Sequence, residues 1–177
     1  MIKQREGLYF SDPLLKGGGQ ERGSRAGTEN VIGIIGFGAA AAAAARDMAA
    51  DTGRVLTLRD KLEAGLKAIA SKVVVFGEGT ERVPNTTLFA VPETRAETLL
   101  IGLDLEGVAA SSGAACSSGK VAGSHVLAAM GIPTALASGA VRVSTGSTTS
   151  DAEIDFFLKA WRKVLMGLSK GRRGLAA

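Results

Sequence analysis

Residues 31–45, VIGIIGFGAAAAAAA, carry no charge and end at Arg46 and Asp47. Alanine is the strongest helix former, and a helix that is apolar all round has to be covered. Fifteen residues fall short of the ~20 needed to span a bilayer, so the run predicts a buried helix and no membrane. The helical pattern extends from about 29 to 70, with an interruption near Asp51-Thr52-Gly53 that suggests a hairpin or kink. Leu56, Leu58, Leu62, Leu66 and Ile69 recur at one-face spacing.

Beyond residue 70 short helices and strands alternate. Val73-Val74-Val75-Phe76 between glycines reads as a strand, and so does 85–91 between prolines. A helix is expected over 94–105, a third strand over 107–110 and a fourth over 140–144. Ser124 is placed to cap a helix over 125–130, which Gly131 and Pro133 end. Ser150 and Glu153 have capping-box spacing and open a last helix to about 168. These elements predict an α/β fold: a long helix plus a small domain with a mixed or antiparallel sheet of three to four strands. Residues 169–177 read as a basic disordered tail.

A length of 177 residues suits one domain, or one domain with a remnant of another. The net charge of +4 comes from scattered basic residues with acidic ones between them, which argues against a nucleic-acid interface. One cysteine excludes an internal disulfide framework, and no Cys/His spacing suits a metal. A charged N-terminus without an apolar stretch lacks the pattern of a signal peptide, so a cytoplasmic location is expected.

Chemistry concentrates in a few stretches. Cys116 lies in SSGAACSSG, where small neighbours leave a thiol reachable instead of packing it inert. The glycine-rich stretch GGGQERGSRAGTEN, 17–30, brings Arg22, Arg25 and Thr28 to a helix start. It fits neither a P-loop nor a dinucleotide fingerprint. An anion at the helix N-terminus is one reading, and Thr28 as a simple cap is the other. His125 is the only histidine, and no third residue is evident to orient it as a base for Cys116. Arg142 is a charge inside the apolar run Ala140-Val141-Arg142-Val143. It needs a partner, either an internal carboxylate such as Asp104 or Glu106, or the carboxylate of a substrate.

Three stretches in order, GGGQERGSRAGTEN, SSGAACSSGKVAGSHVLAAM and VRVSTGSTTSDAEI, resemble the cysteine desulfurases, pyridoxal-phosphate enzymes of the class V aminotransferase group. The resemblance runs from about residue 7 to about 164. It implies the C-terminal part of a fold-type I pyridoxal-phosphate enzyme, with 1–70 a remnant of the large cofactor domain and 71–168 the small domain. The implied activity converts L-cysteine to L-alanine and leaves a persulfide on Cys116 for iron–sulfur cluster or other sulfur-transfer pathways. Thr28 then contacts the cofactor phosphate across a dimer, and Arg142 binds the substrate carboxylate. A sulfur acceptor or iron–sulfur scaffold protein is the implied partner.

The family's Schiff-base lysine follows a histidine upstream of such a glycine-rich segment, and no lysine of this chain follows a histidine. The resemblance therefore implies a fragment inactive alone: a truncated product, one half of a split enzyme completed by an N-terminal half, or a decayed fragment with no independent role. The alternative is a non-enzymatic sulfur-relay or regulatory module that pairs with an intact desulfurase. After Gly146 relatives usually carry one more residue than Ser147-Thr148-Thr149.

Overall fold

A computed structural model describes residues 12–113 and 124–174, with side chains to 169. Its longest element, α1 (Val31–Ile69), starts at Asn30, whose Oδ1 accepts from the Gly33 N–H at 3.1 Å. The cap is therefore Asn30 and not Thr28. No hairpin or kink occurs at Asp51-Thr52-Gly53, because α1 is continuous there. A single helical glycine costs only about 1 kcal/mol relative to alanine, and no proline is present to break the ladder.

Contacts divide the chain into two compact units, 1–48 and 49–177. The first unit's part of α1 corrects the buried-helix expectation. Ile32 and Phe37 are 87% and 69% exposed, and Val31, Ile34 and Ile35 are also exposed. The helix does not stop at Arg46, so the length argument fails as well. An 18-residue window has mean hydropathy 1.4 and no buried residue, enough by length and composition to cross a membrane.

In the second unit a four-stranded antiparallel sheet is ordered β1 (Val74–Val75), β2 (Thr86–Ala90), β4 (Val141–Ser144), β3 (Ser111–Ser112). β3 comes later than the expected 107–110. Those residues instead close α2 (Ala96–Leu105): Gly107, at φ 78°, donates to Asp104 O, and Val108 donates to Leu103 O. That is a Schellman closure. Gly131 and Pro133 do end α3 (His125–Ala129), but Pro133 also opens a short α4 (Thr134–Ala137) that the sequence reading lacked. Ser124 caps α3 by accepting from the Leu127 N–H at 3.3 Å.

The final helix α5 (Asp151–Gly174) opens on a reciprocal capping box. Ser150 N–H donates to Glu153 Oε2 at 2.8 Å, and Glu153 N–H donates to Ser150 Oγ at 3.3 Å. The helix passes the expected end near 168, because extending a nucleated helix needs no buried face. The reading of 169–177 as a disordered tail is thus corrected up to Gly174.

One sheet face is packed by α1, α2 and α5. Leu58, Leu62 and Leu66 of α1 are buried there, but Val55 replaces the expected Leu56, which is partly exposed. Trp161 lies edge-on to Phe89, with centroids 5.2 Å apart and planes at 88°. Its Nε1 has no hydrogen-bond partner among the described residues. The opposite face carries a smaller cluster of Phe76, Ala90, Leu127 and Ala140.

Glu63 is the buried charge of the main core. Arg82 grips it bidentately at 2.9 and 3.0 Å, and Thr87 Oγ1 donates to it at 2.9 Å. Burial pushes this carboxyl up, but the Arg82 and Thr87 hydrogen bonds outweigh burial and hold it below the ordinary glutamate value. A carboxyl lowered in the folded state stabilises above its unfolded value, and that stabilisation is lost as pH falls through the folded value. Glu63→Gln is expected to lower unfolding stability by about 1–3 kcal/mol at neutral pH. Denaturant melts of the two proteins should converge below the ordinary glutamate range. A deficit that persists unchanged at acid pH would contradict this role.

Gly139 fixes the entry to β4. A Cβ there would lie 2.5 Å from Thr94 O, in a turn where Ala96 N–H donates to Ser138 O at 3.0 Å. Gly139→Ala should therefore destabilise by about 1–3 kcal/mol, read from the same melts.

Candidate functional site

The register of β4 sets the site. Val141 is paired with Phe89, and Arg142 lies between Leu88 on β2 and Ser111 on β3. Successive residues of a strand face opposite ways, so Val141 enters the main core. Arg142 shares the other face with Leu88 and the smaller cluster.

Arg142 is half-buried, and its guanidinium makes no hydrogen bond or ion pair among the described residues. Neither structural partner expected from sequence serves it, since Glu106 is bound by Lys163 at 2.7 Å and Asp104 makes no ion pair among the described residues. A half-buried guanidinium without an anion is costly, and a carboxylate is the ligand its planar fork fits best.

Cys116 lies outside the described residues. The strand leading toward it is described: Ser111 is paired with Arg142, and Gly113 N–H donates to Ala140 O at 2.9 Å. Cys116 follows Gly113 by three positions in the sequence. His125 opens α3 with an exposed ring that has no hydrogen-bond partner among the described residues. Nothing there orients it as a base.

Thr28 belongs to the first unit. Its carbonyl accepts from Arg25 Nη2 at 2.6 Å, while its hydroxyl makes no hydrogen bond among the described residues. With Asn30 serving as the cap, that hydroxyl remains available to a ligand. Glu21 and Arg22, at φ 49° and 56°, take the left-handed conformation within the glycine-rich stretch, which is costly for residues bearing a Cβ.

These residues offer pyridoxal phosphate a hydroxyl beside a helix start, suited to its phosphate. They do not fit its aldehyde. Holding the aldehyde takes an enclosed lysine whose amine is neutralised by its surroundings, and each described lysine up to residue 169 is at least partly exposed.

Arg54 was not singled out by the sequence reading. Its guanidinium donates to Thr149 O at 2.5 Å, to Gly146 O at 3.3 Å and to Ser147 O, clamping the loop that follows β4. Thr145 N–H donates to Asn85 O at 2.9 Å, tying the same loop to β2. No local pattern announces a cation that serves carbonyls more than ninety residues away. Arg54→Ala is expected to speed amide exchange at Gly146 and Thr149 by roughly tenfold, the loss of about one net hydrogen bond. Helical amides of α5 should exchange as before, and uniform acceleration would assign Arg54 to global stability instead.

Comparison with known proteins gives consistent matches. The aminotransferase class-V family matches residues 12–157. Cysteine desulfurase NifS of Azotobacter vinelandii is 48% identical over 151 residues, covering 85% of this chain and 37% of the relative. A cysteine desulfurase of Cereibacter sphaeroides is 45% identical, covering 88% of this chain and 39% of the relative. Among solved structures, a NifS-like protein from Rickettsia africae superposes with a TM-score of 0.76 at 34% identity, over 87% of this chain and 40% of that one. The chain thus spans about two fifths of the length of these relatives.

Proposed function

Since the chain belongs to the class-V aminotransferase family, in its cysteine desulfurase group, we propose that it supplies the substrate-anchoring and sulfur-accepting part of a cysteine desulfurase. The observation that carries this reading is Arg142, a half-buried guanidinium with no anion among the described residues, paired in register with the strand that leads to Cys116. On this reading residues 1–70 are an edge of the large cofactor domain, and 71–168 are the small domain.

Arg142 holds the α-carboxylate of cysteine through two parallel hydrogen bonds, which fixes the direction of the substrate's C–S bond. The thiolate of Cys116 takes the substrate sulfur: a bond forms between the two sulfurs as the carbon–sulfur bond breaks. The carbon then gains a proton, leaving alanine, and Cys116 carries the persulfide to a sulfur acceptor or iron–sulfur scaffold. In this family pyridoxal phosphate supplies the electron sink. On this reading Thr28 meets the cofactor phosphate across a dimer, and a complementing N-terminal half brings the lysine. A cytoplasmic location and burial of the apolar half of α1 against protein belong to the same reading.

The test mixes this chain with a separately produced lysine-bearing N-terminal portion of a NifS-type relative, pyridoxal phosphate and L-cysteine. Alanine and a persulfide on Cys116 are expected from the mixture, and neither from this chain alone. Cys116→Ser should abolish the persulfide. Arg142→Ala should raise KM by about 100-fold, with Arg142→Lys intermediate, as expected for losing charge-assisted hydrogen bonds of about 1.5–3 kcal/mol each. Robust turnover by the chain alone, or an unchanged KM in Arg142→Ala, would overturn the reading.

The lack of an enclosed lysine among the described residues also favours a second reading, a relay that pairs with an intact desulfurase. With a full-length relative in the mixture, that reading expects persulfide on Cys116 with no increase in alanine.

A further inference from the structure

The outer face of α5 gathers charge of one sign. After Asp155 the helix has no acidic residue, and Lys159, Arg162 and Lys163 follow at spacings of three and four, which puts them on one face. Phe156 and Met166, 53% and 55% exposed, stand at either end of this cluster. With Glu106 at the end of α2, these side chains line a groove of about 660 Å³. Lys163 is neutralised by Glu106 at 2.7 Å. Lys159 and Arg162 make no ion pair among the described residues.

We propose that this groove docks an acidic amphipathic helical segment of a partner protein. Apolar anchors of that segment would sit on Phe156 and Met166, and its carboxylates would meet Lys159 and Arg162, the helix-in-groove mode with complementary charge. A second copy of the chain is a poor occupant, because a two-fold contact sets this cationic face against itself in a protein already at +4. An anionic lipid surface is a poor one too. The apolar side of α5 is committed to the core through Ile154, Phe157 and Trp161, which leaves only two exposed side chains to insert. None of the groove residues belongs to the candidate site, so the proposal is independent of the desulfurase reading.

The test uses the full 177-residue chain, isotopically labelled, and a capped 16-residue peptide with leucines on one helical face and glutamates elsewhere. A counterpart with lysines in place of glutamates is the control. The glutamate peptide is expected to shift amide resonances of 156–167 and Glu106, with affinity falling as salt rises. The double variant Lys159→Glu/Arg162→Glu should weaken binding at least tenfold. Met166→Ser, which leaves the charge intact, should weaken it severalfold. Circular dichroism of both variants should match the parent, since all three side chains are exposed.

Absence of shifts, shifts confined to other elements, or equal binding of the lysine peptide would overturn the proposal. So would tighter binding to phosphatidylserine vesicles than to the peptide, or a dimer in sedimentation that Met166→Ser dissolves.

Discussion

The pairing of β4 between β2 and β3 is the constraint on which both the core and the site depend. Its register puts Val141 opposite Phe89 and Arg142 opposite Leu88 and Ser111. A slip of one residue would carry a guanidinium into the core and a valine to the site face. Several contacts oppose such a slip. Phe89 is locked by Trp161, Gly139 is pressed against Thr94 O, and Thr145 is tied to Asn85. The apolar packing that stabilises the sheet therefore also sets the direction of Arg142.

The two halves of α1 show how one helix can be stable in one unit and unfinished in the other. From Val55 on, its leucines are buried, and Gly65 lets α5 come close enough for Leu158 to occupy the space of a Cβ. Glu63, held by Arg82 and Thr87, joins that half to β2. Toward the N-terminus the same helix presents Ile32 and Phe37 to solvent. An apolar helix face of that character has to be covered. The relatives are more than twice as long as the matched region.

Features fixed by a few adjacent residues were legible in the sequence. The Ser150–Glu153 capping box, the Ser124 cap and β2 between its prolines all depend on short-range chemistry, and they occur where expected. Features fixed by distant partners were not. The burial of Val55 in place of Leu56 is decided by what packs against the helix, and α1 runs on through Gly53 because one glycine is too weak a breaker. β3 was displaced because its expected residues are used to close α2. At the site, the sequence raised Arg142 and its alternative partners together; in the structure Glu106 pairs with Lys163, and Asp104 makes no ion pair among the described residues.

Arg54 bears on the loop that follows β4, from Thr145 to Ser150. The carbonyls of this loop need a donor. Arg54 provides that donor to the carbonyls of Gly146, Ser147 and Thr149, and Thr149 Oγ1 accepts from the Gly146 N–H at 2.9 Å to close the turn on itself. The end of β4 is therefore held from α1 and from the start of β2 at once. The direction of Arg142 follows from strand pairing and not from this loop.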